Sequence, residues 1–332
     1  MKKTSFLAAL WMASALLFAN TGLAAPEKLF VGYAGMSADL SHVWITKEAG
    51  LFRRYGLDVV PIYFSGGRPL MQALIAGDIQ LASTGGITSV RAIVAGADLI
   101  IIAGYMNKLT YTFFTSKDIT RAEQLKGKAV AISGFGTTSH AVTVLALKKL
   151  GLVPVKDVAI MQIGDQTARF AALQANGIQG AIITPPLTLL ARNRGLNPLI
   201  DLTQAGIPWL QEVIIANNSM LRTRQDVVRN FMKGFIDGLK LWHTNKDKTT
   251  ELLAKFMRID IKANRESIDE AYEYMKTATE KKPYPSFDAI RLKLEMIAET
   301  DPKAKGVRPE QVVDLKLLQE IDNSGFIDAL YK

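Results

Sequence analysis

The chain runs to 332 residues, 48% of them hydrophobic, with a formal net charge of +9 and no cysteine. That length accommodates one large or two ordinary domains, and the apolar content without low-complexity tracts excludes an intrinsically disordered chain. The absence of cysteine excludes a disulfide framework, a thiolate metal site and a lipid-modified cysteine.

Residues 1–24 read as an export signal. Lys2 and Lys3 form a positive start, "FLAALWMASALLF" (6–18) is an uncharged run too short to span a bilayer, and small residues follow. Gly22 and Ala24 occupy the −3 and −1 places, which puts the cut after Ala24. The expected mature protein is soluble, free of a lipid anchor and retained in a Gram-negative periplasm. Losing two lysines lowers the charge from +9 to +7, and no basic run exceeds two residues. Such a spread surplus reads as solvated surface, and with export it argues against nucleic acid.

Beyond the signal, a strand is predicted over Leu29–Tyr33, followed by a loop with Gly35 and Ser37. A helix over Ser41–Tyr55 stops at Gly56, and a strand covers Asp58–Phe64. The loop "SGGRP" then leads into a helix ending near Gly77, with Pro69 pre-setting its start, and a third strand runs into Ser83, Thr84, Gly85 and Gly86.

Roughly a hundred residues on, the pattern returns. "LFRRYGLDV" (51–59) is answered by "ALKKLGLVPV" (146–155), and "ALIAGDIQLAST" (73–84) by "ALQANGIQGAII" (172–183). The second unit predicts a strand over Ala129–Ser133, a loop from Gly134 to Ser139, a helix over His140–Leu150 stopped at Gly151, and a strand over Val158–Ile163. A helix ending near Gly177 and a third strand running into Thr184 and Pro185 complete it. Strand, helix, strand, helix, strand means a mostly parallel sheet flanked by helices, and two copies mean two α/β lobes. Ligands bind such sheets beyond the carboxyl ends of the strands, where both units gather glycines and hydroxyls. In "SGFGTTSH" either Thr138 or Ser139 is expected to cap the helix, or the same residues bring N–H groups and hydroxyls to a ligand.

After about residue 214 the texture becomes helical. Val227, Phe231, Phe235, Leu239 and Trp242 form a stripe at spacings of three and four. Further helices are predicted over Thr249–Met257, Ser267–Thr279 and Asp288–Glu299. Pro309 marks a helix start, and Gly325 separates two short final helices.

Catalytic and cofactor signatures are missing. "GMSAD" fails as a nucleophile elbow, and His42, His140 and His243 lack metal-ligand spacing. "SGFGTTS" lacks the lysine of a phosphate-binding loop and the third glycine of a dinucleotide fingerprint. The residues read as a binding protein without cofactor or metal.

Three segments carry a family resemblance: "WITKEAGLFRRYGLDVVPIYFSGGRPLMQALIAGDIQLASTGG", "EQLKGKAVAISGFGTTSH" and "FAALQANGIQGAIITPP". Together they resemble periplasmic solute-binding proteins of the sulfonate/nitrate/taurine type, which serve ABC importers. The resemblance spans residues 28–260. It implies a two-lobed periplasmic-binding-protein fold (type II-like) that closes on a small solute and delivers it to a membrane permease as a monomer. The chain crossings would fall near Thr112–Thr115 and Val213–Ala216. Lobe 1 would then comprise 25–113 and 214–332, and lobe 2 would comprise 114–213. Gln80, and Gln179 with Gly180, stand where the family usually carries acids. The superfamily also holds enzymes making a pyrimidine precursor, whose cysteine-rich motif is absent here. An exported sensor feeding a membrane receptor would share the same fold.

In this frame the ligand-binding candidates are Ser37, Ser65, Gly66, Thr84, Gly85, Gly136, Thr137, Thr138, Ser139 and Thr184. Asp39, Arg68, Tyr105 and Trp209 form a second tier. A helix start with hydroxyls suits a sulfonate-, nitrate- or carboxylate-like anion, whereas the Asp39 carboxylate points to a cationic or hydroxylated solute.

Overall fold

Each glycine-punctuated unit folds as a strand–helix succession in the computed structural model, which describes residues 25–332; the expected export signal, residues 1–24, lies outside them. The first unit forms β1 (Glu27–Tyr33), α1 (His42–Glu48), β2 (Leu57–Tyr63), α2 (Gly67–Ala76), β3 (Leu81–Gly85), α3 (Gly86–Val94) and β4 (Leu99–Met106). After β5 (Thr112–Thr115), the second unit forms β6 (Ala129–Ile132), α4 (Thr138–Lys149), β7 (Ala159–Gln162), α5 (Gln166–Gln174), β8 (Gly180–Ile183), α6 (Leu187–Asn193) and β9 (Asn197–Asp201). β10 (Glu212–Asn217) leads into α7 (Asn218–Thr223), α8 (Gln225–Thr244), α9 (Lys246–Met257), α10 (Arg265–Ala278), α11 (Phe287–Ala298), α12 (Lys316–Asn323) and α13 (Phe326–Leu330).

Two five-stranded sheets result, ordered β2-β1-β3-β10-β4 and β7-β6-β8-β5-β9. They are mixed rather than purely parallel. β10 runs antiparallel to β3 and β4, and β5 runs antiparallel to β8 and β9. The reason lies in the connectivity. Each reversed strand is the first one formed after the chain passes from one sheet to the other, so it enters from the end where its neighbours finish. The passages are residues 107–111 and 202–211; the segments expected to be crossings, Thr112–Thr115 and Val213–Ala216, are themselves strands just beyond them. The central strands β3, β5 and β8 are buried throughout, as strands covered on both faces must be.

The sequence repeat has a structural counterpart at its glutamines. Gln80 binds β1 through its backbone N–H to the Phe30 carbonyl (3.1 Å), and its Oε1 accepts from the Phe30 N–H (3.0 Å). Gln179 does the same to Ala129 of β6, at 2.8 and 3.2 Å. Where the resemblance leads one to expect acids, amides pin the start of a strand. Only one predicted helix is split: Gly50, at φ +73°, ends α1, and Phe52–Tyr55 continues as a 3-10 turn up to Gly56.

The helical remainder packs on the first sheet. Val227, Phe231, Phe235, Leu239 and Trp242 of α8 are all buried there, each large side chain contributing about 1.5–3 kcal/mol. Gly234 and Gly238, one turn apart, let α8 approach closely. A Cβ on Gly234 would lie 2.7 Å from Phe52 Cδ1, and one on Gly238 would overlap Thr46. Pro309 opens a 3-10 turn rather than an α-helix, and Gly325 separates α12 from α13.

His42 lies inside this core, stacked on Trp242 with ring centroids 4.8 Å apart, its Nε2 bonded to Thr279 Oγ1 at 2.9 Å. Burial lowers its pKa from 6.5 to about 3, so the folded protein holds a neutral imidazole. Stability from this group is complete above pH 6.5 and is lost as pH falls toward 3. Urea denaturation should show wild type losing about 4 kcal/mol relative to His42→Gln between pH 7 and pH 3. A constant difference would mean that His42 takes up a proton as readily in the fold as in the unfolded chain.

Candidate functional site

Four helices begin around one cavity between the two sheets. Its volume is about 50 Å³. The walls include Gly67 at the start of α2, Gly85 at the N-cap of α3, Thr137 to Ser139 at the start of α4, and Asp165 and Gln166 at the start of α5. Each helix start carries backbone N–H groups without intrahelical acceptors and the positive end of the peptide dipoles. Convergence of several such ends on one small volume favours negative charge.

Arg169, one turn into α5, adds a cation. It is 4% exposed and donates through Nη1 to the Gly164 carbonyl at 2.7 Å, while its Nε has no partner among the described residues. Burial lowers its pKa, yet a guanidinium stays protonated at any physiological pH. Three further unpartnered polar atoms belong to residues of the same wall: Thr84 Oγ1, Thr138 Oγ1 and Glu212 Oε2. Buried polar groups are normally satisfied, so this cluster of orphans makes the cavity the candidate site.

The hydroxyls of "SGFGTTSH" divide their work. Ser139 Oγ accepts from the Ser133 N–H (2.8 Å) and bonds Ser133 Oγ (2.7 Å), while Thr137 Oγ1 donates to the Gly134 carbonyl (2.7 Å). These two brace the loop. Thr137 is the N-cap residue, one position earlier than expected, without a side-chain capping bond. Thr138 faces across the cavity, where its N–H donates to Thr88 Oγ1 at 3.3 Å.

Residues 38–249 of the chain, 212 of 332, match the family described as "NMT1/THI5 like". The chain belongs to the NMT1/THI5-like family. A sequence of Escherichia coli (strain K12) named for aliphatic sulfonate binding is 27% identical over 258 residues, covering 76% of this chain and 78% of that protein. Among solved structures, the alkanesulfonate-binding protein SsuA from Xanthomonas axonopodis pv. citri, bound to MOPS, superposes with a TM-score of 0.68 at 20% identity, covering 87% of this chain and 97% of that one. The periplasmic nitrate-binding protein NrtA from Synechocystis PCC 6803 superposes at 0.71 and 17% identity, covering 90% and 89%. The fold is therefore that of the periplasmic binding proteins.

Within this family member, Ser37, Thr84, Gly85, Thr137, Thr138 and Ser139 line the cavity. Ser65 and Gly66 do not. Ser65 is exposed, and Gly66 abuts Ser133 at the seam between the sheets. Thr184 also lies outside the wall; its N–H and Oγ1 bond Gln166 Oε1 (2.7 and 3.0 Å) and so orient a wall residue. Gly136 and Trp209 line a separate, mostly apolar groove of about 650 Å³. Gly136 sits at φ +81°, and its N–H donates to His140 Nδ1, so the turn itself demands the glycine. Arg68 is exposed beside Gly134. Tyr105 is buried, its hydroxyl bonded to Ser83 Oγ (2.8 Å) and the Asp39 carbonyl. Asp39 lies behind the wall, its Oδ2 accepting from Gln211 Nε2 at 2.9 Å.

The sequence reading missed Tyr111, Asp165, Gln166, Arg169 and Glu212 of the wall. The repeat held a signal for some of them: the spacing that pairs 73–84 with 172–183 also pairs "SGG" (65–67) with "GDQ" (164–166).

Asp165 joins the two halves. Oδ1 caps α5 by accepting from the Ala168 N–H (3.1 Å), while Oδ2 accepts from the Tyr63 hydroxyl (2.9 Å) and the Met36 N–H (3.3 Å) of the first sheet's side. Asp165→Ala should cost about 1–2 kcal/mol of stability through the lost cap. It should also weaken solute binding about 5- to 30-fold through the lost bonds across the seam. Calorimetry on folded variant checks this; unchanged affinity would assign Asp165 to capping alone.

Proposed function

We propose that the protein is the solute-binding component of an ABC-type importer, closing two lobes on a small oxyanion-bearing solute and delivering it to a membrane permease. The lobes are built on the two sheets and divide at the passages 107–111 and 202–211, just before the expected bounds of 113/114 and 213/214. The observation that carries the reading is the convergence on one cavity of four helix starts and of Arg169, buried and without an ion pair among the described residues. Relatives named for sulfonate binding and a structural neighbour named for nitrate binding support the same class of solute. The protein binds its solute and does not transform it.

Export completes the role. The segment 1–24 directs the chain to the periplasm, where the mature protein starts at Ala25 and works as a monomer without a lipid anchor. N-terminal sequencing of exported protein tests this, and retention of Met1 would contradict it.

The solute class is tested by thermal shift of the mature protein against nitrate, sulfate, methanesulfonate, acetate, benzoate and, as cationic controls, methylammonium and guanidinium. A ligand at 100 times its dissociation constant adds about 2.7 kcal/mol. Stabilisation by one or more oxyanions is expected. Stabilisation by the cations alone would overturn the reading.

A further inference from the structure

Glu212 is a buried acid in the wall of the cavity, with no cation in ion-pair contact among the described residues. It is the first residue of β10, 2% exposed, and its Oε2 has no hydrogen-bond partner among the described residues. Oε1 receives only a long bond, 3.4 Å, from Gln211 Nε2, which is committed more closely to Asp39 Oδ2 (2.9 Å) and the Tyr111 hydroxyl (3.0 Å). The titratable groups around it are Asp39 from the turn after β1, Tyr105 of β4, Tyr111 of the first passage, and Arg169 and Asp165 across the cavity. Among the described residues Glu212 forms no ion pair.

The other unpartnered atoms of the wall, on Arg169, Thr84 and Thr138, are donors or hydroxyls able to donate. A carboxylate among them would repel an oxyanion. A carboxylic acid would add another donor. Resting on the oxyanion reading above, we propose that Glu212 meets the solute as a neutral acid, donating from Oε2 to an anionic oxygen, so that capture of the anion is coupled to the presence of one proton. Desolvation, reinforced by the nearby Asp39, raises the Glu212 pKa well above the usual carboxylate range, which is the direction this role requires.

The test is calorimetry with methanesulfonate and with nitrate from pH 5.5 to 8.5, on wild type and Glu212→Gln. A carboxamide donates a hydrogen bond but does not titrate. Wild-type affinity should weaken as pH rises, by about tenfold per unit above the Glu212 titration, while the Glu212→Gln profile is flat whatever its absolute affinity. Parallel profiles in the two proteins overturn the inference and leave the oxyanion reading standing. Wild-type affinity that strengthens with pH, with 2-aminoethanesulfonate preferred over methanesulfonate, also overturns it, because a carboxylate is then meeting an ammonium group. Failure of every anion to bind either protein at any pH overturns the oxyanion reading and this inference together.

A second measurement needs no solute. An acid whose folded pKa is raised contributes stability below its unfolded pKa and loses it as pH climbs toward the folded value. The melting temperature of Glu212→Gln should therefore gain on wild type steadily from pH 4.5 to 8. A difference that stays constant overturns the neutral acid.

Discussion

Arg169→Gln is expected to weaken anion binding by about 100- to 1,000-fold while leaving the fold in place. The guanidinium is buried with its Nε unpartnered and no carboxylate within ion-pair distance among the described residues, so a solute anion would be its counter-charge. Hydrogen bonds between charged groups contribute about 1.5–3 kcal/mol, and removing one side of a desolvated charge pair costs about 2–5 kcal/mol. A loss of about 3–4 kcal/mol corresponds to the stated range. Stability should move far less. The bond from Nη1 to the Gly164 carbonyl disappears, costing about 0.5–1.5 kcal/mol, but so does a desolvated cation. Calorimetry with the anion found by thermal shift reads the first effect, and a melting curve reads the second. Wild-type affinity in a folded Arg169→Gln protein would remove Arg169 from the site.

Gly85→Val is expected to abolish tight binding by a different route, blocking closure without disturbing either half. Gly85 has an ordinary φ of −63°, so a side chain strains no backbone there. Its Cβ would overlap Thr138 Oγ1 and lie 2.8 Å from Thr138 Cβ, on the opposite side of the cavity. The three nearest atoms to that Cβ all belong to Thr138, so the closest clash is with the opposite side and is relieved as the two sheets move apart. A folded protein with a melting temperature close to wild type and affinity reduced more than 100-fold is the expected result. The contrast is Gly136, where φ +81° makes any substitution costly to folding first. If Gly85→Val binds as wild type does, the sheets need not approach as closely as this structure has them.

How much of this was legible in the sequence depends on what each residue's neighbours are. Strand and helix order followed from local punctuation: Gly56, Gly77 and Gly325 all take positive φ at element ends, where a side chain would be strained. The small residues at strand ends were legible because a tight loop and a close approach both require them, and Thr84, Gly85 and Thr137 to Ser139 line the cavity. Ser65, Gly66 and Thr184 sit in the same kind of loop, but Ser65 turns outward, Gly66 packs on Ser133 and Thr184 orients Gln166, which no local pattern specifies.

Arg169 was illegible for a physical reason. In "DQTARFAALQ" a lone arginine one turn into a helix looks like solvated surface. The repeat pairs it with Leu70, which is fully buried, so the second unit carries a charge where the first carries core. Glu212 was hidden likewise, since a glutamate opening a strand is ordinary until the passage before it carries the strand's first residue into the cavity wall. Both depend on contacts between residues far apart in sequence.

The central claim is that the two sheets draw together around a small anion, and small-angle scattering tests it most directly. Mature wild-type protein should show a smaller radius of gyration with a saturating oxyanion than without it, and Gly85→Val should show no contraction at the same anion concentration. Calorimetrically verified binding to wild type with an unchanged radius of gyration would contradict the account.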